Sequence, residues 1–185
     1  MKQYTMTIAG LERHLTMCPI GEDLYIAAFI MFGDTELTTR AAEELLSRAP
    51  AHDIIITAEA KGIPLAHEMA RQDHDCKYII ARKGTKLYMT DPISVNVKSI
   101  TTDRVQTLYL GSEDVDAIRG KRVLIVDDVV STGESMLAIE ELVKKAGGII
   151  AGRLAVLAEG DAQQREDLIY LEKLPLLNGK GEPIG

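Results

Sequence analysis

Residues 123–135 combine apolar, acidic and small polar side chains in an order that suits chemistry on a phosphorylated sugar. Four apolar residues lead to two adjacent carboxylates, Asp127 and Asp128, and a small polar turn at residues 131–133 follows after two valines. Carboxylates at the end of a strand can accept hydrogen bonds from neighbouring hydroxyls. A turn that opens a helix leaves backbone N–H groups without partners, and these groups attract anions. The segment therefore predicts a site that holds a sugar by its hydroxyls and by its phosphate.

A second candidate segment, residues 57–62, reads Thr-Ala-Glu-Ala-Lys-Gly and follows the β-branched run at residues 54–56. Gly62 permits a tight turn, and Lys61 supplies a positive charge. The peptide N–H groups from Ala60 onward precede a predicted helix and could face a diphosphate. An ordinary strand-to-helix turn with a solvated lysine is the alternative interpretation.

A third candidate segment is basic, with Arg82, Lys83 and Lys86 close together in an otherwise acidic chain. Residues 94–100 and 104–110 follow it and are typical of a hairpin or a long mobile flap, because the stretch is too long for a simple connection. Cations at the base of such a flap could neutralise an anion beneath it. A solvated charged surface is the alternative.

Other kinds of nucleotide and metal site find no support in the sequence. It contains no G-K-[ST] step, which excludes a nucleotide P-loop, and no G-x-G-x-x-G after the strand, which excludes a dinucleotide fingerprint. The two cysteines, Cys18 and Cys76, form no C-x-x-C pair and are interpreted as ordinary thiols. None of the four histidines, His14, His52, His67 and His74, has metal-ligand spacing with an acid or a thiol, and we expect surface positions for His67 and His74, which lie on or after one predicted helix.

Hydrophobic periodicity predicts an α/β fold around these segments. Helices are expected from Asp34 to Pro50, from Pro64 onward and at residues 133–146, and they alternate with apolar strands at residues 53–58, 77–81, 122–126 and 149–158. Repeated β-α-β units predict a mostly parallel, twisted sheet with helices on both faces. Earlier in the chain, residues 4–8, 13–18 and 25–32 predict antiparallel strands. Ligands bind beyond the carboxyl ends of the strands in such sheets, which is where the candidate segments fall.

The composition fits one globular domain of 185 residues, with 46% hydrophobic and 26% charged side chains. Twenty-eight acidic and twenty-one basic residues give a net charge of −7, which is the wrong sign for a protein whose main partner is nucleic acid. The longest apolar stretch, residues 24–32, is about half the ~20 residues that a membrane helix needs. The N-terminus lacks the pattern of a secretion signal, so we expect a cytoplasmic protein without a membrane partner.

Residues 123–135 resemble the thirteen-residue phosphoribosyl-pyrophosphate motif of the type I phosphoribosyltransferases. That pattern is an apolar run, two acids, two apolar residues, a small residue before Thr-Gly and a closing hydroxyl, and the chain matches it throughout. The resemblance implies that Asp127 and Asp128 hold the ribose hydroxyls. It assigns the 5′-phosphate to Ser131, Thr132, Gly133, Glu134 and Ser135. A generic acidic strand end, as in phosphate-receiver domains or Mg²⁺ sites, is the alternative.

The other two segments resemble further parts of the same family. Residues 59–62 are similar to its pyrophosphate loop, and residues 81–87 are similar to the basic start of its flexible catalytic loop. The resemblance implies that Asp127, Asp128 and Lys86 are the catalytic residues. It implies that pyrophosphate is bound by Ala60, Lys61, Gly62, Arg82, Lys83 and Lys86.

The resemblance also implies the fold and the reaction. The expected fold is a single phosphoribosyltransferase domain over residues 1–185, with a core at about residues 34–158 and a small hood from residues 1–33 and 159–185. The expected reaction transfers ribose 5-phosphate from phosphoribosyl pyrophosphate to a purine base and releases pyrophosphate. Mg²⁺ is the implied cofactor, held mainly by substrate oxygens and water, and a homodimer is the implied assembly.

Adenine is the favoured base, because residues 59–62, 82–87 and 113–118 fall in the same order as in the adenine branch of the family. Adenine enzymes commonly carry a Tyr-Glu pair on the flap, whereas the matching residues 104–110 contain no carboxylate. The group that accepts the proton of the base is therefore unassigned, and xanthine or another 6-oxopurine is the alternative. A regulatory protein that binds phosphoribosyl pyrophosphate without turnover is the alternative from a different class.

Overall fold

The computed structural model describes residues 2–74, 76–98 and 105–184. Within these ranges the strands are β1 (Gln3–Ile8), β2 (Leu11–Pro19), β3 (Tyr25–Ala28), β4 (Ile54–Ala58), β5 (Lys77–Ala81), β6 (Ile93–Lys98), β7 (Val105–Leu110), β8 (Arg122–Val130), β9 (Ile149–Glu159), β10 (Ile169–Leu174), β11 (Leu176–Leu177) and β12 (Pro183–Ile184). The helices are α1 (Thr35–Arg48), α2 (Ile63–Gln72), α3 (Ser112–Ile118), α4 (Glu134–Lys145) and a 3₁₀ helix, Gly160–Gln164. Among the residues described, none of the helices has the length and apolar character that crossing a membrane requires.

Five strands form a parallel core sheet in the order β10-β9-β8-β4-β5. The chain leaves β4 through α2 toward one edge of this sheet and leaves β8 through α4 toward the other edge. The direction of winding therefore reverses between the neighbouring strands β4 and β8. A topological switch point of this kind opens a crevice at the carboxyl ends of the two strands. The prediction of a mostly parallel α/β sheet is confirmed.

The strands of the core sheet are apolar on both faces because helices cover both faces. Along β8, Leu124 and Val126 belong to one hydrophobic cluster, whereas Val123 and Ile125 belong to the other, as the two-residue period of a strand requires. The first cluster is shared with α1 and α2, and the second is shared with α3 and α4. The predicted placement of helices on both faces is confirmed.

The start of α1 ties the core to the strands that precede it. Asp34 caps this helix as predicted, and its carboxylate accepts a hydrogen bond from the backbone N–H of Leu37 at 3.0 Å. The same carboxylate pairs with Arg13 of β2, with 2.6 Å between Nε and Oδ2. No side chain in the described part of the chain caps α2, and Pro64 lies in its first turn, where a missing N–H costs no hydrogen bond.

A second, antiparallel sheet, the hood sheet, contains strands β1, β2, β3, β11 and β12 in that order. The first three strands match the predicted antiparallel group, although β3 ends at Ala28 rather than at residue 32. The expected hood included all of residues 159–185, whereas β10 lies in the core sheet, parallel to β9. Leu171 and Leu174 explain this difference because both are buried in the core cluster. Of the tail residues that the structure describes, only β11 and β12 join the hood sheet.

The predicted hairpin is present as the antiparallel pair β6 and β7. Its base is fixed to the core, because Arg82 and Tyr109 exchange two backbone hydrogen bonds of 2.9 and 2.8 Å. Lys145 of α4 donates a further hydrogen bond to the carbonyl oxygen of Ser94 at 3.1 Å. The predicted flap also includes residues 99–104, which lie outside the described residues.

Candidate functional site

The paired aspartates lie inside β8 rather than beyond its end. The sequence predicts a strand at residues 122–126, but Val129 and Val130 continue the pairing with β9, so β8 extends through both acids. Asp128 is buried, with 3% of its surface exposed, and Asp127 is half-buried. The backbone N–H of Asp128 donates to Oδ1 of Asp127 at 2.9 Å. The carboxylates thus occupy the carboxyl end of β8, at the switch point with β4.

Lys61 connects the loop after β4 to these aspartates. Its Nζ lies 2.9 Å from Oδ2 of Asp128 and donates a hydrogen bond to the carbonyl oxygen of Phe29 at 3.1 Å. The lysine side chain is 43% exposed, whereas that of Asp128 is 5% exposed. The charge of a buried carboxylate is therefore balanced by a cation that an incoming anion can reach. The contact with Phe29 brings the segment after β3 to the same site.

Gly62 is required by the close approach of the two loops. A Cβ atom at this position would lie 2.6 Å from Oγ1 of Thr57 and 3.1 Å from Oδ1 of Asp127. Real Cβ atoms do not come within 3.0 Å of such neighbours, and Asp127 also contributes its backbone Cα at 3.3 Å. The glycine predicted for a tight turn thus serves to let the turn pack against β8.

Burial raises the pKa of the Asp127 carboxyl well above its ordinary value of 3.8, and the neighbouring charge of Asp128 adds to this effect. Lys61 acts in the opposite direction and favours the ionised form. Desolvation beside a like charge is a physical arrangement that clusters at functional sites. The carboxyl group of Asp127 is therefore a candidate functional group of the crevice.

The turn after β8 forms a small anion-sized depression at the start of α4. Gly133 has φ 77° and ψ 3°, a left-handed conformation that glycine adopts without strain. The first turn of α4 leaves backbone N–H groups without intrahelical partners, and the helix dipole favours negative charge there. The depression has a volume of about 70 Å³ and is lined by Asp127, Val129, Val130, Ser131, Thr132, Gly133, Glu134, Ser135 and Met136.

Arg165, which the sequence interpretation missed, lies against this turn. A Cβ atom on Gly133 would come within 2.7 Å of Nη1 of Arg165. The guanidinium is oriented by a bidentate pair with Asp167, with both N–O distances at 2.9 Å. Arg165 follows Gly133 by thirty-two positions in the chain, and no spacing rule connects the two. The guanidinium of Arg165 therefore lies, in a fixed orientation, next to the predicted phosphate loop.

A second arginine pair fixes α4 behind the same turn. Arg153 of β9 donates to both carboxylate oxygens of Glu140 on α4, at 2.6 and 2.7 Å. Glu140 is buried, and these hydrogen bonds lower the pKa of its carboxyl. Arg153 also lies 3.3 Å from Asp167, so the two pairs form one cluster, the arginine cluster, of Glu140, Arg153, Arg165 and Asp167.

Glu59 lies close to the basic residues that were predicted to bind pyrophosphate. Its Oε1 lies 3.1 Å from Nη2 of Arg82, and its Oε2 accepts a hydrogen bond from the backbone N–H of Lys83 at 2.9 Å. The hydrogen bond from Lys83 lowers the pKa of the Glu59 carboxyl, and the charges of Arg82, Lys86 and Lys83 contribute to the same effect. The three cations therefore lie near one carboxylate at the end of β4. The sequence placed Glu59 in the motif but did not predict this role.

The structure brings most predicted site residues together at the carboxyl ends of the core strands. Lys61, Gly62, Asp127 and Asp128 are in direct contact, and the phosphate loop continues from β8. Glu159, the last residue of β9, is a further acid at the carboxyl ends of the strands, and it was not predicted from the sequence. Burial raises the pKa of its carboxyl, and Lys61 opposes that shift.

The residues present fit a Mg²⁺ ion that is shared with a substrate. Asp127 and Asp128 carry carboxylate oxygens, the hard ligands that Mg²⁺ prefers, and would be the residues to hold such an ion. Oδ2 of Asp128 is already within 2.9 Å of Lys61, so the protein leaves few positions for direct ligands. Such a site suits an ion that keeps several waters and takes its remaining ligands from substrate phosphates.

Comparison with known proteins gives consistent relatives. The sequence profile of the phosphoribosyl transferase domain matches residues 33–178. The hypoxanthine/guanine phosphoribosyltransferase of Methanothermococcus okinawensis is 33% identical over 184 residues, which cover 92% of this chain and 96% of that protein. The xanthine phosphoribosyltransferase of Bacillus cereus is 33% identical over 162 residues, which cover 83% of this chain and 81% of that protein.

Solved structures share the fold. The adenine phosphoribosyltransferase of Thermoanaerobacter pseudethanolicus superposes with a TM-score of 0.71 at 23% identity, over 86% of this chain and 95% of that one. The expected type I phosphoribosyltransferase fold is thereby confirmed. The profile match and the relatives that span most of the sequence show that the chain belongs to the phosphoribosyl transferase domain family.

Proposed function

We propose that this protein transfers ribose 5-phosphate from phosphoribosyl pyrophosphate to a purine base and releases pyrophosphate, as a cytoplasmic enzyme of purine salvage. The observation that carries the proposal is the junction of β4 and β8, where Lys61 lies 2.9 Å from Asp128 and Gly62 packs against Asp127. A cation suited to diphosphate is thereby adjacent to two carboxylates suited to ribose hydroxyls. Phosphoribosyl pyrophosphate carries both groups on one sugar.

The sugar end of the substrate is held by β8 and the turn that follows it. Asp127 and Asp128 accept hydrogen bonds from the ribose hydroxyls, and the backbone N–H groups of residues 131–135 bind the 5′-phosphate. These contacts fix the anomeric carbon relative to the loop after β4. Catalysis then depends on positioning, because the bond to pyrophosphate breaks early and positive charge builds on the ribose.

The leaving group is stabilised by cations on the neighbouring loops. The diphosphate draws Lys61 away from Asp128 and lies along the loop at residues 60–62. The N–H of Ala60 donates to the carbonyl oxygen of Ala58 at 2.7 Å, so this hydrogen bond must open before Ala60 can donate to the diphosphate. Arg82, Lys83 and Lys86, which lie near Glu59, add positive charge as the pyrophosphate departs. Mg²⁺, when bound, neutralises part of the same negative charge.

A 6-oxopurine is the base that the curated relatives favour. Relatives that are 33% identical and cover 83–92% of the chain are named for hypoxanthine and guanine or for xanthine. Adenine is the second candidate, because residues 59–62, 82–87 and 113–118 follow the order of the adenine branch. The segment after β3, which Lys61 contacts at Phe29, carries the exposed side chains of Ile30 and Phe32. We assign Phe32 to stack on the base, because a flat, exposed aromatic ring suits that role.

A panel of bases tests the proposal. The purified protein is incubated with Mg²⁺, phosphoribosyl pyrophosphate and adenine, hypoxanthine, guanine or xanthine, and released pyrophosphate and nucleotide are measured. We expect turnover with a 6-oxopurine, whereas turnover with adenine alone selects the second candidate. Asp128→Asn is expected to abolish turnover, and the surface variant Asp116→Asn, whose side chain is 69% exposed, serves as the matched control. Binding of phosphoribosyl pyrophosphate without turnover of any base would identify a regulatory protein and overturn the proposal.

A further inference from the structure

Three side chains with metal-ligating atoms lie close together at the amino ends of β4 and β5. This is the end of the core sheet opposite the crevice. His52 precedes β4, Asp73 follows α2 and Cys76 precedes β5. One ligand atom from each residue lies within 4.8 Å of the others. The sequence interpretation assigned no metal role to any of them, because His52 and Cys76 are separated by twenty-four positions.

His52 is oriented toward the other two residues. Its Nδ1 lies 2.9 Å from the carbonyl oxygen of Pro50. A carbonyl oxygen can only accept a hydrogen bond, so Nδ1 carries the proton, and in the neutral ring Nε2 presents its lone pair. This arrangement, in which one ring nitrogen donates to a backbone carbonyl while the other faces a ligand, is typical of metal-bound histidine.

Nε2 of His52 is buried and lacks a satisfactory partner. The His52 side chain is 7% exposed, and Nε2 makes no hydrogen bond to any residue that the structure describes. Oδ2 of Asp73 is 3.3 Å away, within the range of an ion pair but without hydrogen-bond geometry. A buried polar atom that lacks a hydrogen bond costs about 1–3 kcal/mol. A ligand between Nε2 and the carboxylate would remove that cost.

Asp73 and Cys76 are brought together by a turn between α2 and β5. The backbone N–H of Cys76 donates to the carbonyl oxygen of Asp73 at 3.1 Å, which closes the turn. Cys76 also lines a cleft of about 310 Å³ on the protein surface, so an ion can reach the thiol. Arg71 and Lys77 line the same cleft, but each is paired with a carboxylate, Arg71 with Glu68 and Lys77 with Asp114.

We propose that His52, Asp73 and Cys76 form a binding site for Zn²⁺, with water as the fourth ligand. One nitrogen, one carboxylate oxygen and one sulfur are the donor types that Zn²⁺ takes in tetrahedral sites. Bonds of about 2.0–2.3 Å place tetrahedral ligand atoms about 3.3–3.8 Å apart, so the three side chains need only a small inward movement. On binding, the Cys76 thiol releases its proton to solvent, and the thiolate binds the metal. The ion links the start of β4 to the turn before β5.

Co²⁺ is the probe for this site, because tetrahedral thiolate ligation gives it visible colour and a thiolate charge-transfer band. The full chain is stripped with a chelator and titrated with Co²⁺ in the presence of excess Mg²⁺, which prefers oxygen ligands and should not compete. We expect the charge-transfer band to saturate at one equivalent and to disappear when Zn²⁺ is added. Absence of the band in the unaltered protein, or saturation only at many equivalents, would overturn the proposal.

Variants test the assignment of each ligand. Cys76→Ser should abolish the charge-transfer band, whereas Cys18→Ser, the matched control at the other cysteine, should retain it. Asp73 is 37% exposed, so Asp73→Asn is expected to fold and to weaken Zn²⁺ binding by at least about tenfold, which is the smallest usual cost of losing even a residue that supports a metal ligand. Circular dichroism in the presence of chelator checks the fold of every variant. An unchanged band in Cys76→Ser, or unchanged Zn²⁺ affinity in Asp73→Asn, would contradict the site whatever the enzyme activity proves to be.

Discussion

Asp127 is under two opposing requirements. Its position against Gly62 and beside Asp128 removes water from the carboxyl group, and this desolvation raises its pKa. The same position allows the carboxylate to accept hydrogen bonds in the crevice. A group that is costly to ionise in the folded protein lowers the stability of that protein at neutral pH.

We expect Asp127→Asn to stabilise the protein at pH 8 by about 1–3 kcal/mol while lowering activity. The folded state binds the Asp127 proton more tightly than the unfolded state, so the free energy of unfolding falls as pH rises above the ordinary value of 3.8. Asparagine removes that fall and keeps the oxygen that accepts from the N–H of Asp128. Thermal denaturation from pH 4 to pH 8 measures the effect. A gain that did not shrink toward pH 4 would contradict this account.

Lys61→Met should lower both stability and affinity for phosphoribosyl pyrophosphate. The substitution leaves Asp128 buried without its cation, and we expect a loss of about 1–3 kcal/mol, less than for a fully buried pair because Lys61 is partly exposed. Adding Asp128→Asn should restore stability but not activity, since the diphosphate still lacks its lysine and the ribose has lost a carboxylate. Denaturant unfolding of the two single variants and the double variant measures the coupling. Additive stability losses would exclude the ion pair as the cause.

Single residues of the site were predictable where chemistry and sequence spacing coincide. Asp127 and Asp128 follow an apolar run, and Lys61 and Gly62 follow another, so chain order predicts that they lie at the same end of the sheet. What they bind stays a prediction. Arg165 was not predictable, because its contact with Gly133 depends on how the chain returns after β9. Asp73 and Cys76 were likewise not predictable as neighbours of His52, because the fold and not the sequence spacing brings them together.

At the scale of elements, the arginine cluster connects the start of α4 to β9 and the tail. Arg165→Ala should raise the KM for phosphoribosyl pyrophosphate about tenfold and leave the KM for the base unchanged. The guanidinium lies against the turn at Gly133 and adds positive charge behind the proposed phosphate site, where placement strongly affects rate. Steady-state kinetics with each substrate varied separately measures this, with Arg119→Ala as the exposed control. Equal changes in both KM values would indicate general loosening of the fold instead.

The bounds of elements were less predictable than their existence. The strand at residues 122–126 was predicted from its apolar run. Asp127 and Asp128 interrupt that run, so the sequence did not indicate that β8 continues to Val130 along β9. The hood was expected to include all of residues 159–185, whereas the place of β10 in the core depends on its pairing with β9. Long-range pairing therefore decides what local periodicity leaves open.

At the scale of the whole molecule, the core sheet separates the two proposed sites. The crevice lies at the carboxyl end of β4, and the proposed Zn²⁺ site lies before its amino end. The five residues of β4 span about 17 Å at 3.3 Å per residue. Effects at positions more than about 7–10 Å apart, without shared partners, add with little coupling.

We therefore expect Zn²⁺ and phosphoribosyl pyrophosphate to stabilise the protein independently. A ligand that binds only the folded state, at a hundred times its Kd, adds about 2.7 kcal/mol to the free energy of unfolding. Denaturant unfolding is measured without ligand, with each ligand alone and with both, and the combined gain should equal the sum of the separate gains within about 0.5 kcal/mol. Cys76→Ser should remove the Zn²⁺ gain alone, and Lys61→Met should reduce the phosphoribosyl pyrophosphate gain alone. A combined gain well above or below the sum would mean that binding at the amino ends of the strands is coupled to binding at their carboxyl ends.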